Sequence, residues 1–67
     1  MAHRWTPGVN GDDMHLLLDE DGDALGACLY AGMHGWFSLM ATGRSLGYFT
    51  TLELAKAAVE AALAVRH

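Results

Sequence analysis

Before residue 50 the apolar residues recur at every second position and fall on both sides of each segment, yet only one stretch of the chain has helical periodicity. Alternation of period two marks β-strands, and a period near 3.6 marks a helix. One helix covers one face of a sheet, so a one-sided sheet should be polar on its other face. Here it is not. This mismatch between two apolar sheet faces and a single helix constrains the fold and the function more than any motif in the chain.

The strands are read from the alternation. Met14-His15-Leu16-Leu17-Leu18-Asp19 forms a first strand, Leu25 to Ala31 a second, and about Gly35 to Thr42 a third. Asp19-Glu20-Asp21-Gly22-Asp23 supplies the first turn, with Asp21-Gly22 as the expected hairpin centre. Gly32-Met33-His34-Gly35 links the next pair, and Thr42-Gly43-Arg44-Ser45 leads into a short edge strand, Leu46-Gly47-Tyr48-Phe49. Thr50-Thr51-Leu52-Glu53 fits a capping box, with Phe49 and Leu54 spaced as a hydrophobic staple. The helix then runs from Leu52 to about Arg66. Leu52, Ala55, Val59, Ala62 and Leu63 make its apolar stripe, widened by Leu54, Ala58 and Val65. Lys56 and Glu60 lie opposite, and Arg66 complements the helix dipole. Thr6-Pro7-Gly8 and Asn10-Gly11 are turn signals, so residues 1–13 read as an arm or loop and residues 14–67 as the single domain. The expected fold is α+β: an antiparallel meander of three or four strands followed by one C-terminal helix on one sheet face.

The facing residues can then be assigned. Met14, Leu16 and Leu18 share one side of the first strand and Leu17 the other; Leu25, Ala27, Leu29 and Ala31 oppose Ala24, Cys28 and Tyr30; Trp36 and Met40 oppose Phe37 and Leu39. An uncovered apolar face usually marks an interface. A chain of 67 residues is also short of core, and pairing with a second copy relieves that shortage. A homodimer or, second to it, an obligate partner is therefore expected, with Trp5, Tyr30, Phe37 and Leu39 as interface candidates because such residues anchor interfaces. The alternative is that the arm folds across the second face and covers part of it with Trp5 and Val9.

Composition narrows the function. The hydrophobic share of 52% excludes a disordered peptide. Six of the eight carboxylates fall between Asp12 and Asp23. Arg4, Arg44, Lys56 and Arg66 are too few and too dispersed for a phosphate-binding stripe, which argues against direct nucleic-acid binding. Neither a signal-peptide core nor a membrane span is expected, and one unpaired cysteine suits a reducing compartment; a cytoplasmic protein is the expectation. Asp19, Asp21 and Asp23 resemble the start of a calcium loop, but Tyr30 stands where the bidentate Glu belongs. A solvated hairpin turn accounts for them. His15, His34 and Cys28 could supply three transition-metal ligands only if the strands brought them together, and no metal or cofactor is expected. Cys28, Ser38 and Ser45 lie in no nucleophile-elbow pattern, and the chain is too small to bury a usual substrate pocket, so an enzyme is not expected.

Trp5…Gly8, Leu16-Leu17-Leu18-Asp19…Gly22, Gly35-Trp36-Phe37-Ser38-Leu39 and Gly47-Tyr48-Phe49-Thr50-Thr51-Leu52-Glu53-Leu54-Ala55-Lys56 together resemble small phage- and prophage-encoded ββ(β)α proteins. In these a tryptophan-bearing strand leads through Gly-x-x-(Ser/Thr)-x-x-Glu-x-Ala-Lys into the last helix. The resemblance implies a mobile-element setting, in which many small acidic proteins bind and inhibit a host protein, anti-CRISPR proteins among them. A weaker likeness is to HicB-type antitoxins, whose meander also precedes a helix opening with Thr-x-x-Glu-Ala; their Pro-Asp-(x)-Gly-Cys segment is absent here. The expected function is a non-catalytic protein that binds another protein as an inhibitor of a host defence or nucleic-acid-processing factor. Asp12, Asp13, Asp19, Glu20, Asp21 and Asp23 are the candidate partner-binding residues, since acidic side chains steer and mimic phosphate. A self-assembling structural subunit and an antitoxin are the alternatives.

Overall fold

A computed structural model describes residues 3–8 and 11–64, with the backbone alone at 11 and 12. The order is β1 (Arg4–Gly8), β2 (Gly11–Leu18), β3 (Ala24–Tyr30), a 3-10 turn (Gly32–His34), β4 (Trp36–Met40), β5 (Ser45–Phe49) and α1 (Leu52–Ala64). The five strands form one antiparallel sheet in sequence order, and α1 packs on β3, β4 and β5. The α+β class holds, with five strands in place of three or four.

The added strand is β1. Residues 4–8 were expected in the arm, but they pair with β2, Trp5 opposite Leu17 and Pro7 opposite His15. The prolyl ring lacks the N–H that a central strand must donate, but it is tolerated at a sheet edge, and β1 is an edge. Pro7 thus reads as a turn residue locally while the pairing partner decides the outcome.

The hairpins share a turn design. Gly22 N–H donates to the Asp19 carbonyl (3.0 Å) and Asp19 N–H to the Asp23 carbonyl (2.9 Å), with Gly22 at φ 86°. The loop is therefore Glu20-Asp21-Gly22, one residue longer than a two-residue turn centred on Asp21-Gly22. Asp19 Oδ1 secures it by accepting Asp21 N–H (2.8 Å) and Asp23 N–H (3.0 Å). Between β4 and β5, Gly43 N–H to the Met40 carbonyl and Met40 N–H to the Arg44 carbonyl repeat the pattern, again with a positive φ at the glycine.

The helix begins one residue later than the capping box implies. Thr51 Oγ1 accepts Leu54 N–H (3.2 Å) and the Thr51 carbonyl accepts Ala55 N–H, so Thr51 is the cap rather than Thr50. With Thr51 as the cap, Phe49 and Leu54 no longer occupy the staple positions: Phe49 packs into the core, while Leu54 is 52% exposed. Ala55 and Val59 are fully buried, flanked by Leu52 and Leu63. Val65 and Arg66 lie outside the described residues.

Residues opposite one another in a sheet share a face. The helix-side face carries Trp5, Leu17, Gly26, Cys28, Ser38 and Met40, and the core of Leu17, Cys28, Ala55 and Val59 lies beneath α1. A bulge between Leu17 and Leu18 turns Leu25 onto this face as well, although strict alternation grouped it with Ala27 and Leu29. Among the described residues Ser38 is the one buried polar residue; its hydroxyl donates to the Ala55 carbonyl (2.9 Å), tying β4 to the first turn of α1.

Candidate binding surface

The other face of the sheet has no covering element among the described residues. The cross-strand pairs Thr6–Leu16, Met14–Leu29, Leu16–Ala27, Ala27–Leu39, Leu29–Phe37 and Phe37–Tyr48 place these side chains on it, with Leu18 and Ala24 at one end. Seven of them are large and apolar or aromatic, and a run of this kind across the four strands β2 to β5 forms one continuous patch. Trp5 does not cover it. Its indole faces α1, with Nε1–H donating to Glu60 Oε2 (2.8 Å) and Lys56 Nζ 5.3 Å from the ring centroid. Lys56 and Glu60, expected to face solvent, instead clasp the edge strand to the helix. Val9, the other expected cover, lies outside the described residues.

Of the four interface candidates, Phe37 and Leu39 lie on this open face. Trp5 is on the helix side. Tyr30 closes β3 on the helix-side register, 55% exposed, with its ring edge-on to Trp36 at 5.3 Å. Met14, Leu16, Leu29 and Tyr48 complete the patch. The alternation makes both faces apolar, and polarity gives no sign of which one the helix leaves bare.

The open face has relief. Toward the β2–β3 and β4–β5 turns, small side chains at Ala24, Ala27 and Ala41 leave an apolar depression of about 210 Å³ between Leu16 and Leu39. Toward the opposite end the Phe37 and Tyr48 rings lean together, centroids 5.1 Å apart, and His34 packs on Tyr48 at 5.5 Å. A hollow and a ridge thus share one surface.

The edges of the sheet are less available. Pro7 withholds a donor on β1, and on β5 a register shift opposite Ser38–Leu39 and a positive φ at Gly47 (110°) distort the edge. Proline and bulges are the usual means by which a protein blunts an edge against strand addition.

The acidic residues do not form one surface. Asp13 stands near the start of β2 and Asp19, Glu20, Asp21 and Asp23 beyond its end, roughly 20 Å apart at the rise of a strand. The Asp12 side chain lies outside the described residues. The carboxylates of Asp19, Asp21 and Asp23 approach within 4.8 Å of one another. Asp19 is already committed to two backbone N–H groups, so the grouping is explained by the turn.

His15 and Cys28 are cross-strand partners, but His34 lies in the exposed 3-10 turn, and among the described residues these three do not converge as a ligand set. Cys28 is fully buried beside Ser38 (3.7 Å), and burial pushes its thiol upward against the smaller opposing effect of that contact. A buried thiol with a raised pKa is a poor nucleophile and a poor ligand. Among the described residues, no helix is long and apolar enough to cross a membrane. No family model matches the chain, and neither a curated protein nor a solved structure matches it.

Proposed function

We propose that this chain is a small, non-catalytic protein-binding protein whose working surface is the open face of its sheet. The observation that carries the reading is the continuous apolar patch of Met14, Leu16, Leu18, Leu29, Phe37, Leu39 and Tyr48, opposite a face that α1 already fills. A patch of that extent on a small domain is a cost in water unless another surface covers it. The two best-packed nucleophile types, Cys28 and Ser38, are both fully buried under the helix, out of reach of a substrate, which supports a binding role over catalysis.

The narrower reading is a phage-type inhibitor of a host defence or nucleic-acid-processing factor. In that reading the apolar face supplies contact area, and the exposed turn of Glu20, Asp21 and Asp23 steers the protein toward a basic surface. A protein is favoured over nucleic acid as the partner because the open face carries aromatic and aliphatic side chains with no row of cations.

Substitution of Leu39 by arginine tests the reading. It adds charge at the centre of the patch without touching the helix-side core. Far-UV circular dichroism should be unchanged. Any protein captured stoichiometrically by the wild-type chain, a second copy included, should be retained at least tenfold more weakly. Undiminished capture by Leu39→Arg would remove the open face from the mechanism.

A further inference from the structure

The relief of the open face points to its occupant. We infer that a second copy of this chain seats on it, the two sheets packing face to face about a two-fold axis that lies across the strands, with Phe37 of each copy entering the depression of the other. The inference rests on the reading of the open face as a protein-binding surface and commits it to one partner.

Isologous contact requires that a surface carry both halves of its own complement, residue i meeting j while j meets i. Here the two halves lie at opposite ends of one face, the ridge on β4 and β5 and the hollow over β3 between Leu16 of β2 and Leu39 of β4. Phe37 stands at one end of β4, and Leu39 and Ala41 border the hollow at and beyond its other end. A two-fold axis in the plane of the face, bisecting the line from Phe37 to the hollow and so running obliquely across the strands, exchanges ridge and hollow. The sizes agree: an apolar cavity of about 150 Å³ accepts benzene, and this one is about 210 Å³. The hollow is lined by the side chains of Leu16, Ala24, Ala27, Leu39 and Ala41 together with Gly26, Met40 and Gly43, so a phenyl ring entering it meets a mainly apolar surface.

The area suffices. The molecule measures 33 × 25 × 19 Å, and its broad face therefore offers on the order of 600 Å². Burial of the whole of that face in each copy would remove roughly 1,200 Å² in total, the lower bound for a specific interface. Face-to-face packing is also the mode the sheet leaves open, because both edges are blunted by Pro7 and by the distortion around Gly47. The cross-strand axis further sets the two Asp19–Asp23 turns at opposite ends of the pair, whereas an axis along the strands would set them side by side.

Sedimentation equilibrium of the full chain, from about 1 to 100 µM, is the test. The expected result is a mass approaching twice the 7.2 kDa of one chain. Phe37→Ser, which removes the ridge, should raise the dimer dissociation constant at least tenfold. Ala41→Glu is the second variant: Ala41 is exposed in the β4–β5 turn and borders the hollow without joining the core, so it tests the hollow without threatening the fold. It should weaken the pair comparably. A dimer indifferent to both variants overturns the seating. A wild-type monomer at 100 µM also overturns it, and the capture experiment then separates the two claims. Leu39→Arg-sensitive binding of a different protein would leave the surface assignment standing with the wrong occupant, whereas insensitive binding would remove both.

Discussion

Gly26 sets how closely the helix approaches the sheet. Built onto its backbone, a Cβ would lie 2.7 Å from Val59 Cγ1 and 3.1 Å from the Leu39 carbonyl oxygen. Neither neighbour yields cheaply. A valine in a helix is confined to one χ1 rotamer, and the carbonyl is backbone. Overpacking of this kind costs about 1–3 kcal/mol. Replacing glycine by alanine in an extended segment returns roughly 0.5–1 kcal/mol of backbone entropy, so Gly26→Ala should be destabilising by about 1–2 kcal/mol net. For a domain of this size each kcal/mol moves Tm by about 4–8 °C. The variant should therefore melt roughly 5–15 °C below the wild type. Val59→Ala alone should cost about 2 kcal/mol through lost burial and the cavity it leaves. In the double variant the new methyl occupies the vacated space, so the combined loss should fall short of the sum by at least about 1 kcal/mol.

Urea unfolding followed by circular dichroism, with the m-value checked for constancy, measures the cycle. A neutral Gly26→Ala, or strict additivity with Val59→Ala, would refute the reasoning. It would also reach beyond packing. The strand phase that turns Gly26 toward α1 turns Ala27 and Leu39 outward. If Gly26 did not meet Val59, the hollow on the open face would have no basis.

Two further outcomes follow from the buried polar groups and the turn. Cys28 should resist a thiol reagent at pH 8, its modification tracking global unfolding. Because burial raises the thiol pKa only in the folded state, the unfolded chain loses its proton first; stability should then hold below about pH 8.5 and decline as pH rises above it, and Cys28→Ser should flatten that decline. Asp19→Ala should destabilise the fold by about 1 kcal/mol, by analogy with a lost helix cap, since Oδ1 serves two backbone donors. Asp19→Asn should retain most of that stability in the same urea titration.

What was legible in the sequence, and what was not, divides along local and non-local causes. The helix, the three inner strands and the apolar character of both faces follow from periodicity alone. The strand at Arg4–Gly8 does not, because Thr6-Pro7-Gly8 has turn chemistry, and only the availability of β2's free edge and the clasp of Trp5 by Lys56 and Glu60 make it extended. The phase of β3 departs from strict alternation at Leu25 because a bulge is invisible to that pattern. The cap moved by one because two adjacent threonines offer the same hydroxyl, and the sheet geometry selects Thr51.

Which face the helix leaves open was written in residue size rather than in polarity. Gly26, Cys28 and Ser38 sit on neighbouring helix-side positions of β3 and β4, and their small side chains let Ala55 and Val59 come down onto the sheet. A helix closes on the face where its backbone can approach most nearly, so it takes the row of small residues. The large side chains, Leu29, Phe37, Leu39 and Tyr48, are then left on the far side by the same choice. The bare apolar face is thus a consequence of how the core is built, and covering it falls to a surface that this chain, taken singly, lacks among its described residues.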